Sequence, residues 1–432
     1  MLFKLLIILI TLSPLMGQSM FNRWIGSDPF SGSSKSTAMG NSHILNSIGS
    51  ANTRFNPANL INENSIFTFD IQLEQTSIFE RWSMPIRDSF DDVLANADYV
   101  ANEFSQFGIR GGLSSSINIF QLGQIGIGFH SAPLTNFKYH YTEEVRGTNQ
   151  IEDGEYASKD PIVGYHNLKT SGAMQISSLG TGFGINLIKQ LKIKFGLSIN
   201  QIHRSTITDN VTIDSLYLED LTNLSTVTNV TQRSKTDETN FITLSAMLQL
   251  TPKITLASSW ESSAKLKSKN SSAIINNENG LFQYWNNQDY AINGHNYLKP
   301  EILSFGSSFF SNNHSKTLIS FEFNRIFYDN HYYLNDFNII KFGFEHITQF
   351  GTPIRAGLTY KTPSMNAMEP ISILTFGSGK KINNLILDIT GTYCLQSFKH
   401  PDLFPVEGDV RLDYDLIRDS QFHLSLSLSY QL

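Results

Sequence analysis

The chain ends in a strict alternation of apolar and polar residues, "QFHLSLSLSYQL", over residues 421–432. The apolar members share one parity: Phe422, Leu424, Leu426, Leu428, Tyr430 and Leu432. Successive side chains of a strand point to opposite faces, so this pattern predicts a strand with one apolar and one polar face. Such a strand separates two environments. These are a core and water in a soluble protein, or lipid and a wet lumen in a membrane barrel.

The same alternation recurs along the chain and predicts about fourteen strands. They cover residues 65–77, 108–120, 123–141, 171–188, 191–215, 236–250, 253–267, 299–310, 316–328, 338–349, 353–361, 370–378, 384–396 and 420–431.

The connections between these strands are alternately long and short. A long connection near 78–107 precedes "QLG", one near 142–170 precedes "KQ", and one near 216–235 precedes "TPK". Outer-membrane barrels have long external loops and short periplasmic turns, whereas a soluble sandwich has no reason to separate loop lengths in this way. The sequence therefore predicts an all-β fold: a transmembrane, antiparallel, up-and-down β-barrel of about 14 strands in the bacterial outer membrane.

The first long connection carries a different periodicity. Beginning at Pro85, apolar residues recur at spacings of three and four: Ile86, Phe90, Val93, Leu94, Ala97, Ala101 and Phe104. This spacing predicts a helix that packs across the mouth of the barrel.

The beginning of the chain is typical of an exported protein. Lys4 precedes an apolar run, Leu5 to Leu12, and Gly17 and Ser19 form a small-x-small cleavage pattern. These features predict a signal peptide over residues 1–19. Cleavage after Gly17 is the alternative.

Composition excludes several other classes of protein. The 432 residues carry a formal net charge of -6, which argues against binding to nucleic acid. The one cysteine, Cys394, cannot form an internal disulfide or a cysteine metal cluster. The chain has no H-E-x-x-H, P-loop or G-x-S-x-G motif, and "GQIGIG" lies within an alternating strand. We therefore expect no enzyme activity, no catalytic residue, no metal and no cofactor.

Residues 36–60, "STAMGNSHILNSIGSANTRFNPANL", do not alternate and are not expected to form a wall strand. "AMGNS" and "FNPANL" resemble the N-terminal segment of the FadL-like transporters of long-chain fatty acids and aromatic hydrocarbons. "LKPEILSFGSSFF", "IIKFGFEHI" and "IRAGLTYKTP" are similar to late strands of that family. The resemblance implies a plug, or hatch, over residues 20–64, with Asn56, Pro57 and Ala58 as its motif, and a barrel over residues 65–432.

The predicted strand 171–188 changes parity along its length. Met174 and Ile176 are even, whereas Phe183, Ile185 and Leu187 are odd. One extra residue reverses the faces of a strand, so this change predicts a bulge or kink, which three glycines would permit: Gly180, Gly182 and Gly184. Such a kink would give a side exit from the lumen. An irregularity at the barrel rim is the alternative.

Charged residues with the parity opposite to the apolar stripes are expected to point inward. They are Lys192, Lys194, Glu322, Lys341, Glu345, Arg355 and Asp388. They either bind a substrate carboxylate or pair with one another across the lumen.

The resemblance implies a passive outer-membrane transporter for hydrophobic molecules, with a plugged barrel and a side exit. The expected partners are outer-membrane lipid, a hydrophobic small-molecule ligand and the barrel-assembly machinery. The alternative is a PorV-like barrel that binds protein partners as a platform or shuttle in type IX secretion.

Overall fold

The protein is described here by a computed structural model, which covers most of the chain. It describes residues 20, 26–27, 32–61, 65–90, 92–119, 123–146, 162–188, 191–215, 229–266, 268–275, 297–312, 316–328, 334–365, 368–400, 402–404 and 414–432. The signal peptide predicted over residues 1–19 lies outside this part of the chain.

Strands dominate the structure and are numbered in chain order. They are β1 (Phe67–Arg87), β2 (Val93–Ile119), β3 (Gly123–Asn136), β4 (Tyr139–Arg146), β5 (Ile162–Ser171), β6 (Ala173–Ile188), β7 (Leu191–Ile202), β8 (Thr206–Ser215), β9 (Asn229–Thr236), β10 (Thr239–Thr251), β11 (Ile254–Glu261), β12 (Ala264–Leu266), β13 (Ser268–Ile275), β14 (Tyr297–Lys299), β15 (Glu301–Asn312), β16 (Lys316–Phe327), β17 (Phe337–Ile347), β18 (Pro353–Lys361), β19 (Ile371–Ile382), β20 (Leu385–His400) and β21 (Asp415–Gln431).

Fourteen of these strands close into one antiparallel barrel. Its order is β1-β2-β3-β6-β7-β10-β11-β15-β16-β17-β18-β19-β20-β21, and β21 pairs with β1, as in the pair Ile71 and Leu428. Closure removes the free edges that an open sheet would expose. The predicted fold class, strand number and up-and-down order are confirmed.

The barrel wall carries apolar side chains on its outer face. Exposed members of this apolar band include Phe69, Ile109, Phe129, Leu179, Phe195, Leu244, Phe305, Phe321, Phe342, Leu358, Leu374 and Tyr393. The residues between them along each strand point into the lumen and are mostly polar. An apolar band outside a polar lumen is the arrangement of a barrel that crosses a bilayer.

A charge placed in the apolar band tests its contact with lipid. Phe342 lies in β17 between two other outward residues, Phe321 and Leu358. We expect Phe342→Arg to lower the free energy of unfolding in lipid vesicles by about 2–4 kcal/mol, because lipid does not solvate the charge. Phe350→Arg is the control, since Phe350 lies in the short turn after β17 and is 87% exposed. Equal effects of the two substitutions, measured by urea titration, would contradict the assignment.

A second sheet stands beyond one end of the barrel. Its order is β13-β9-β8-β5-β4, and β12 and β14 form a separate pair. The predicted strands 123–141 and 191–215 therefore each divide in two, because the chain leaves the barrel after Asn136 and after Ile202. The alternation continues on both sides of these breaks, so it carries no signal of the change of sheet.

The predicted helix after Pro85 is wrong. These residues belong to a hairpin that extends β1 and β2 beyond the apolar band, with Pro85 opposite Asn96 and Met84 opposite Ala97. Antiparallel pairing with a neighbouring strand overrides the local helical spacing, which is a weak preference by comparison.

Two apolar clusters close the same end of the barrel. The first, here called the cap core, contains Met20, Trp82, Val100, Tyr139, Tyr141, Leu168, Val211, Leu334, Met365, Phe398, Leu403, Phe404 and Ile417. The second contains Ala132, Leu134, Phe137, Met174, Ile176, Ile202, Ile207, Phe241, Ala264 and Leu266. Both combine the extended strands with the connections at the end that carries the long loops.

Candidate functional site: the plugged lumen

The chain between residues 32 and 61 fills the lumen with short helical turns. These are α1 (Ser34–Ala38), α2 (His43–Asn46), α3 (Asn52–Phe55) and two 3-10 turns, Gly49–Ala51 and Pro57–Leu60. No helix among the described residues is long and apolar enough to cross a membrane. Each turn exposes backbone groups at its ends, so the segment needs partners from outside itself.

The inner wall of the barrel supplies those partners on all sides. Hydrogen bonds join Ser34 to Thr390 and Ser425, Gly40 to Thr359 and Thr375, Ile44 to Glu322, Ser50 to Asp70 and His130, Ala58 to Ser245, and Phe55 to Ser259. These wall residues belong to nine different strands around the cylinder. The segment therefore lies inside the barrel, and we call residues 32–61 the lumen segment.

The Asn-Pro-Ala motif is fully enclosed. Asn56 is 0% exposed, and its side-chain nitrogen donates to the Ile44 carbonyl oxygen at 2.5 Å. Pro57 opens a 3-10 turn, where its missing N–H leaves no donor unsatisfied. The Ala58 nitrogen donates to Ser245 Oγ at 2.9 Å. The motif thus joins two turns of the lumen segment to each other and to β10.

Glycines of the wall make room for this motif. A Cβ atom at Gly182 would lie 2.4 Å from the Pro57 oxygen, and one at Gly196 would lie 2.0 Å from the Ala58 nitrogen. A Cβ atom at Gly180 would meet Thr53 Cγ2 at 3.1 Å, and one at Gly184 would meet Ile61 Cδ1 at 2.8 Å. These residues permit close approach of the lumen segment, a common use of glycine in strands.

The strand pairing shows no bulge at Gly180, Gly182 or Gly184, so this prediction is wrong. The ladder between β6 and β3 runs without a shift from Gly184 to Ile176, and the ladder between β6 and β7 is continuous over the same residues. The apparent change of parity has another cause. Met174 and Ile176 are buried in the second apolar cluster and point inward, as the glycines do.

Five of the predicted inward residues and Lys35 lie in two charge groups inside the barrel. Glu345 accepts hydrogen bonds from Lys35 Nζ at 2.9 Å and from Arg355 Nε at 2.6 Å, and Arg355 also donates to Asp388. Lys341 Nζ donates to Glu322 Oε1 at 2.7 Å. Because Lys35 belongs to the lumen segment, the first group also ties that segment to the wall.

Glu322 also contacts the lumen segment, and the two remaining predicted charges are Lys194 and Lys192. Glu322 Oε2 accepts a hydrogen bond from the Ile44 nitrogen at 3.1 Å. Lys194 Nζ lies 3.4 Å from the Ile61 carbonyl oxygen. Lys192 is half-buried near the short-turn end of β7. Most of these charges therefore have protein partners within the lumen.

Sequence reasoning missed three polar contacts of the lumen. Asp70 accepts from the Ser50 nitrogen and from Ser50 Oγ, both at 2.7 Å, and Ser50 Oγ lies 2.8 Å from His130 Nδ1. Arg110 pairs with Glu74, and both are buried. Their parity relative to the outward stripes was the available signal, because Asp70 and Glu74 alternate with Phe69, Ile71 and Leu73.

A cavity of about 250 Å³ lies beside the lumen segment. Its polar lining includes His43, Arg54, Glu261, Glu322 and Lys341. Its apolar lining includes Ile78, Ile302, Ile339, Ile371 and Ile373, here called the isoleucine ring. Polar and charged residues lie at the same level as these isoleucines: Glu261 is opposite Ile302, and Lys361, which also lines the cavity, is opposite Ile339 and Ile371. The cavity therefore has a mixed lining, in which isoleucine side chains lie beside polar and charged groups.

The outer wall beside the Asn-Pro-Ala motif carries a shallow groove of about 610 Å³. Its apolar lining includes Phe183, Phe195, Leu197, Leu244, Trp260 and Phe305. Gly182, Gly196 and Ser245 also reach it, although they face the motif on the inner side. The wall is consequently thin at this place.

No protein-family model matches this sequence, and no curated protein matches it. Solved structures do match the fold. The P. putida toluene transporter TodX is 12% identical, with a TM-score of 0.52, over 94% of this chain and 99% of its own. A Pseudomonas aeruginosa FadL homologue is 12% identical, with a TM-score of 0.55, over 97% of this chain and 100% of its own. The Ralstonia pickettii toluene transporter TbuX is 12% identical, with a TM-score of 0.51, over 95% and 100%.

These matches cover nearly the whole chain on both sides, at an identity that establishes the fold alone. The protein is a fourteen-strand barrel that shares the fold of these structures, with helical turns from residues 32–61 inside the lumen. The resemblance found in the sequence is confirmed at the level of the fold.

Proposed function

We propose that this chain is a passive transporter for hydrophobic molecules in the bacterial outer membrane. In this proposal residues 1–19 are a signal peptide, residues 20–64 a plug and residues 65–432 the barrel. Three of the structures that share the fold are named as toluene transporters or as a FadL homologue, which supports the class of cargo. Outer-membrane lipid and the barrel-assembly machinery are the partners that such a barrel requires.

The observation that carries the proposal is the isoleucine ring in the lining of a cavity inside the barrel. The transfer of a hydrophobic molecule from water to the isoleucine ring lowers the free energy, because it removes apolar surface from water. The lumen segment beside the cavity is hydrogen-bonded to the barrel wall. While it stays in place, it leaves no apolar path from the cavity through the lumen. The cavity can therefore hold a hydrophobic molecule behind a closed plug.

The volume of the cavity favours small cargo. An apolar cavity of about 150 Å³ holds benzene, whereas pockets for drug-sized ligands measure about 300–1,000 Å³. The observed 250 Å³ lies between these sizes. We propose that the closed state holds a single aromatic ring or a short acyl segment, rather than a whole long-chain fatty acid.

The exit is the finer part of the proposal. Pro57 and Ala58 lie against Gly182 and Gly196, where the wall is thin and its outer face is the apolar groove. The backbone ladders here are continuous, so passage requires movement of the motif and of the strands beside it. We propose that a molecule leaves sideways at this place once the Asn-Pro-Ala turn has moved.

Filling the cavity tests the transport route. We expect Ile373→Trp to lower the uptake of labelled toluene by cells several-fold, because the larger side chain occupies the space inside the isoleucine ring. Leu374→Trp is the matched control, since the next residue on β19 faces lipid and is 56% exposed. Uptake by cells without the protein sets the baseline. Unchanged uptake with Ile373→Trp, at equal amounts of folded barrel, would count against this route.

The platform alternative has one observation in its favour. The sheet β13-β9-β8-β5-β4 ends in β4 and β13, and exposed edge strands can pair with a strand of another protein. A stoichiometric protein partner that co-purifies with the barrel, in the absence of bound hydrophobic molecules by mass spectrometry, would favour a PorV-like secretion role over transport.

A further inference from the structure

The backbone nitrogen of Met20 donates a hydrogen bond to a buried carboxylate. Met20 belongs to the cap core and is 1% exposed, and its nitrogen donates to Glu80 Oε2 at 2.9 Å. Glu80 is 0% exposed. A polar contact at this depth costs free energy unless it is well satisfied.

Glu80 has three other partners among the described residues, and all of them are neutral. Trp82 Nε1 and the Tyr139 hydroxyl donate to Glu80 Oε1 at 2.8 Å, and Asn102 Nδ2 donates to it at 3.2 Å. Next to Glu80 on β1, Arg81 points outward and is exposed, so this level lies beyond the apolar band. Burial raises the pKa of the Glu80 carboxyl to about 7. A positive partner would stabilise its ionised form.

We propose that removal of residues 1–19 turns the Met20 nitrogen into an α-ammonium group that forms a buried ion pair with Glu80. We call this pair the Met20–Glu80 latch. The cleavage pattern at Gly17 and Ser19 predicts a new N-terminus at Met20, and the contact of the buried Met20 nitrogen with Glu80 is an independent observation.

The chemistry requires only water and a leader peptidase. Hydrolysis breaks the Ser19–Met20 peptide bond, adds a hydroxyl group to the Ser19 carbonyl carbon and leaves an amine on Met20. An α-amino group has a pKa of about 7.7–8.0, which burial lowers and a neighbouring carboxylate raises. In this proposal the carboxylate has the larger effect, so the amine takes up a proton at neutral pH. Before cleavage the same nitrogen belongs to an amide and carries no charge.

The latch distinguishes the two cleavage sites that the sequence leaves open. Cleavage after Gly17 would place the ammonium on Gln18 and leave an amide at Met20, so Glu80 would keep only neutral partners. Cleavage after Ser19 places the charge on the atom that already contacts the carboxylate.

The latch also fixes the start of the mature chain to the cap. Farther along, the Ser27 nitrogen donates to the Asn136 carbonyl oxygen, and Thr135 Oγ1 donates to the Ser27 carbonyl oxygen, both at 2.8 Å. The lumen segment begins a few residues later. Signal-peptide cleavage would thereby add an ion pair to the contacts that hold Met20 and Ser27 against the barrel.

The first test is the N-terminus of the folded barrel isolated from membranes. Intact mass and N-terminal sequencing are expected to give Met20 as the first residue. A first residue at Gln18, or at any position other than Met20, overturns the proposal.

The second test measures the reactivity of the Met20 amine in the folded, full-length mature protein. Acetylation by an N-hydroxysuccinimide ester is followed by mass spectrometry of the N-terminal peptide. We expect Glu80→Gln to raise the rate about tenfold or more, since a pKa that falls by one unit gives ten times more free amine. Glu144→Gln is the matched control, because Glu144 on β4 has a side chain that is 51% exposed and pairs with Arg146. Equal rates for wild type and Glu80→Gln overturn the proposal.

The wild-type protein provides a readout that does not depend on the folding of a variant. The pH dependence of acetylation gives the pKa of the Met20 amine, which we expect to be at least about one unit higher in the folded barrel than in urea. A pKa that is the same or lower in the folded barrel overturns the latch. An insertion of one alanine before Met20 is expected to remove the difference, because it moves the ammonium away from Glu80.

Discussion

Gly196→Ala is expected to open the lumen to small polar solutes. Its Cβ atom would lie 2.0 Å from the Ala58 nitrogen and 2.3 Å from the Pro57 carbonyl carbon, which are backbone atoms of the Asn-Pro-Ala motif. Neither atom belongs to a flexible side chain, so the motif itself must move. Overpacking of this kind costs about 1–3 kcal/mol, enough to raise the population of a displaced plug several-fold or more. Conductance of the purified barrel in planar bilayers is expected to rise.

Gly184→Ala is the matched control for this experiment. Gly184 also points inward, but the atom nearest to its Cβ is Ile61 Cδ1, the end of a side chain that can rotate away. We expect wild-type conductance for this variant. If both substitutions left conductance unchanged in folded protein, the motif would not be the part of the chain that seals the lumen.

Arg355→Met is expected to destabilise the barrel strongly. Arg355 lies between Glu345 and Asp388, and all three are buried. Without the guanidinium, Glu345 keeps Lys35 as its cation and Asp388 loses its ion pair. Removal of one member of a buried charge group costs about 3–5 kcal/mol, because the remaining charge is left without its partner. Urea titration in lipid vesicles measures the loss.

Two further variants separate the ion pair from the volume of the side chain. Arg355→Lys keeps the charge but loses the forked geometry that reaches both carboxylates, so we expect an intermediate loss. Arg355→Met combined with Asp388→Asn should recover part of the stability, because the unpaired carboxylate is gone. A fall in the free energy of unfolding of less than about 1 kcal/mol for Arg355→Met would be typical of a solvated surface ion pair. It would contradict the burial of this charge group.

The barrel wall could be predicted from the sequence because, within the apolar band, the two faces of every strand meet different environments. The alternation of Leu426 and Leu428 with Ser425 and Ser427 is a direct record of that geometry. Beyond the apolar band the strands no longer have a lipid face. There, the hairpin around Phe90 and the five-stranded sheet depend on pairing between distant segments, which local patterns do not encode.

The candidate site was predictable in part. Parity gives the inward direction of Glu345, Arg355 and Asp388, and the family resemblance singles out the Asn-Pro-Ala motif. The partners of these residues depend on which strands become neighbours and on how the lumen segment folds. The parity change at Met174 shows the limit, since Met174 and Ile176 are inward residues that belong to an apolar cluster, and a bulge predicts the same pattern.

The central claim, that the lumen segment lies inside the barrel of its own chain, has a direct test. Ser34 Oγ in the lumen segment and Ser425 Oγ on β21 lie 3.0 Å apart, although 391 residues separate them. Cysteines at both positions, with Cys394 replaced by alanine, should form a disulfide on oxidation, because the two side chains are in direct contact. The pair Ser34→Cys and Ser378→Cys is the control, since Ser378 lies on the outward side of β19. A cross-linked peptide for the first pair alone is the predicted result, and its absence from the oxidised, folded barrel would contradict the claim.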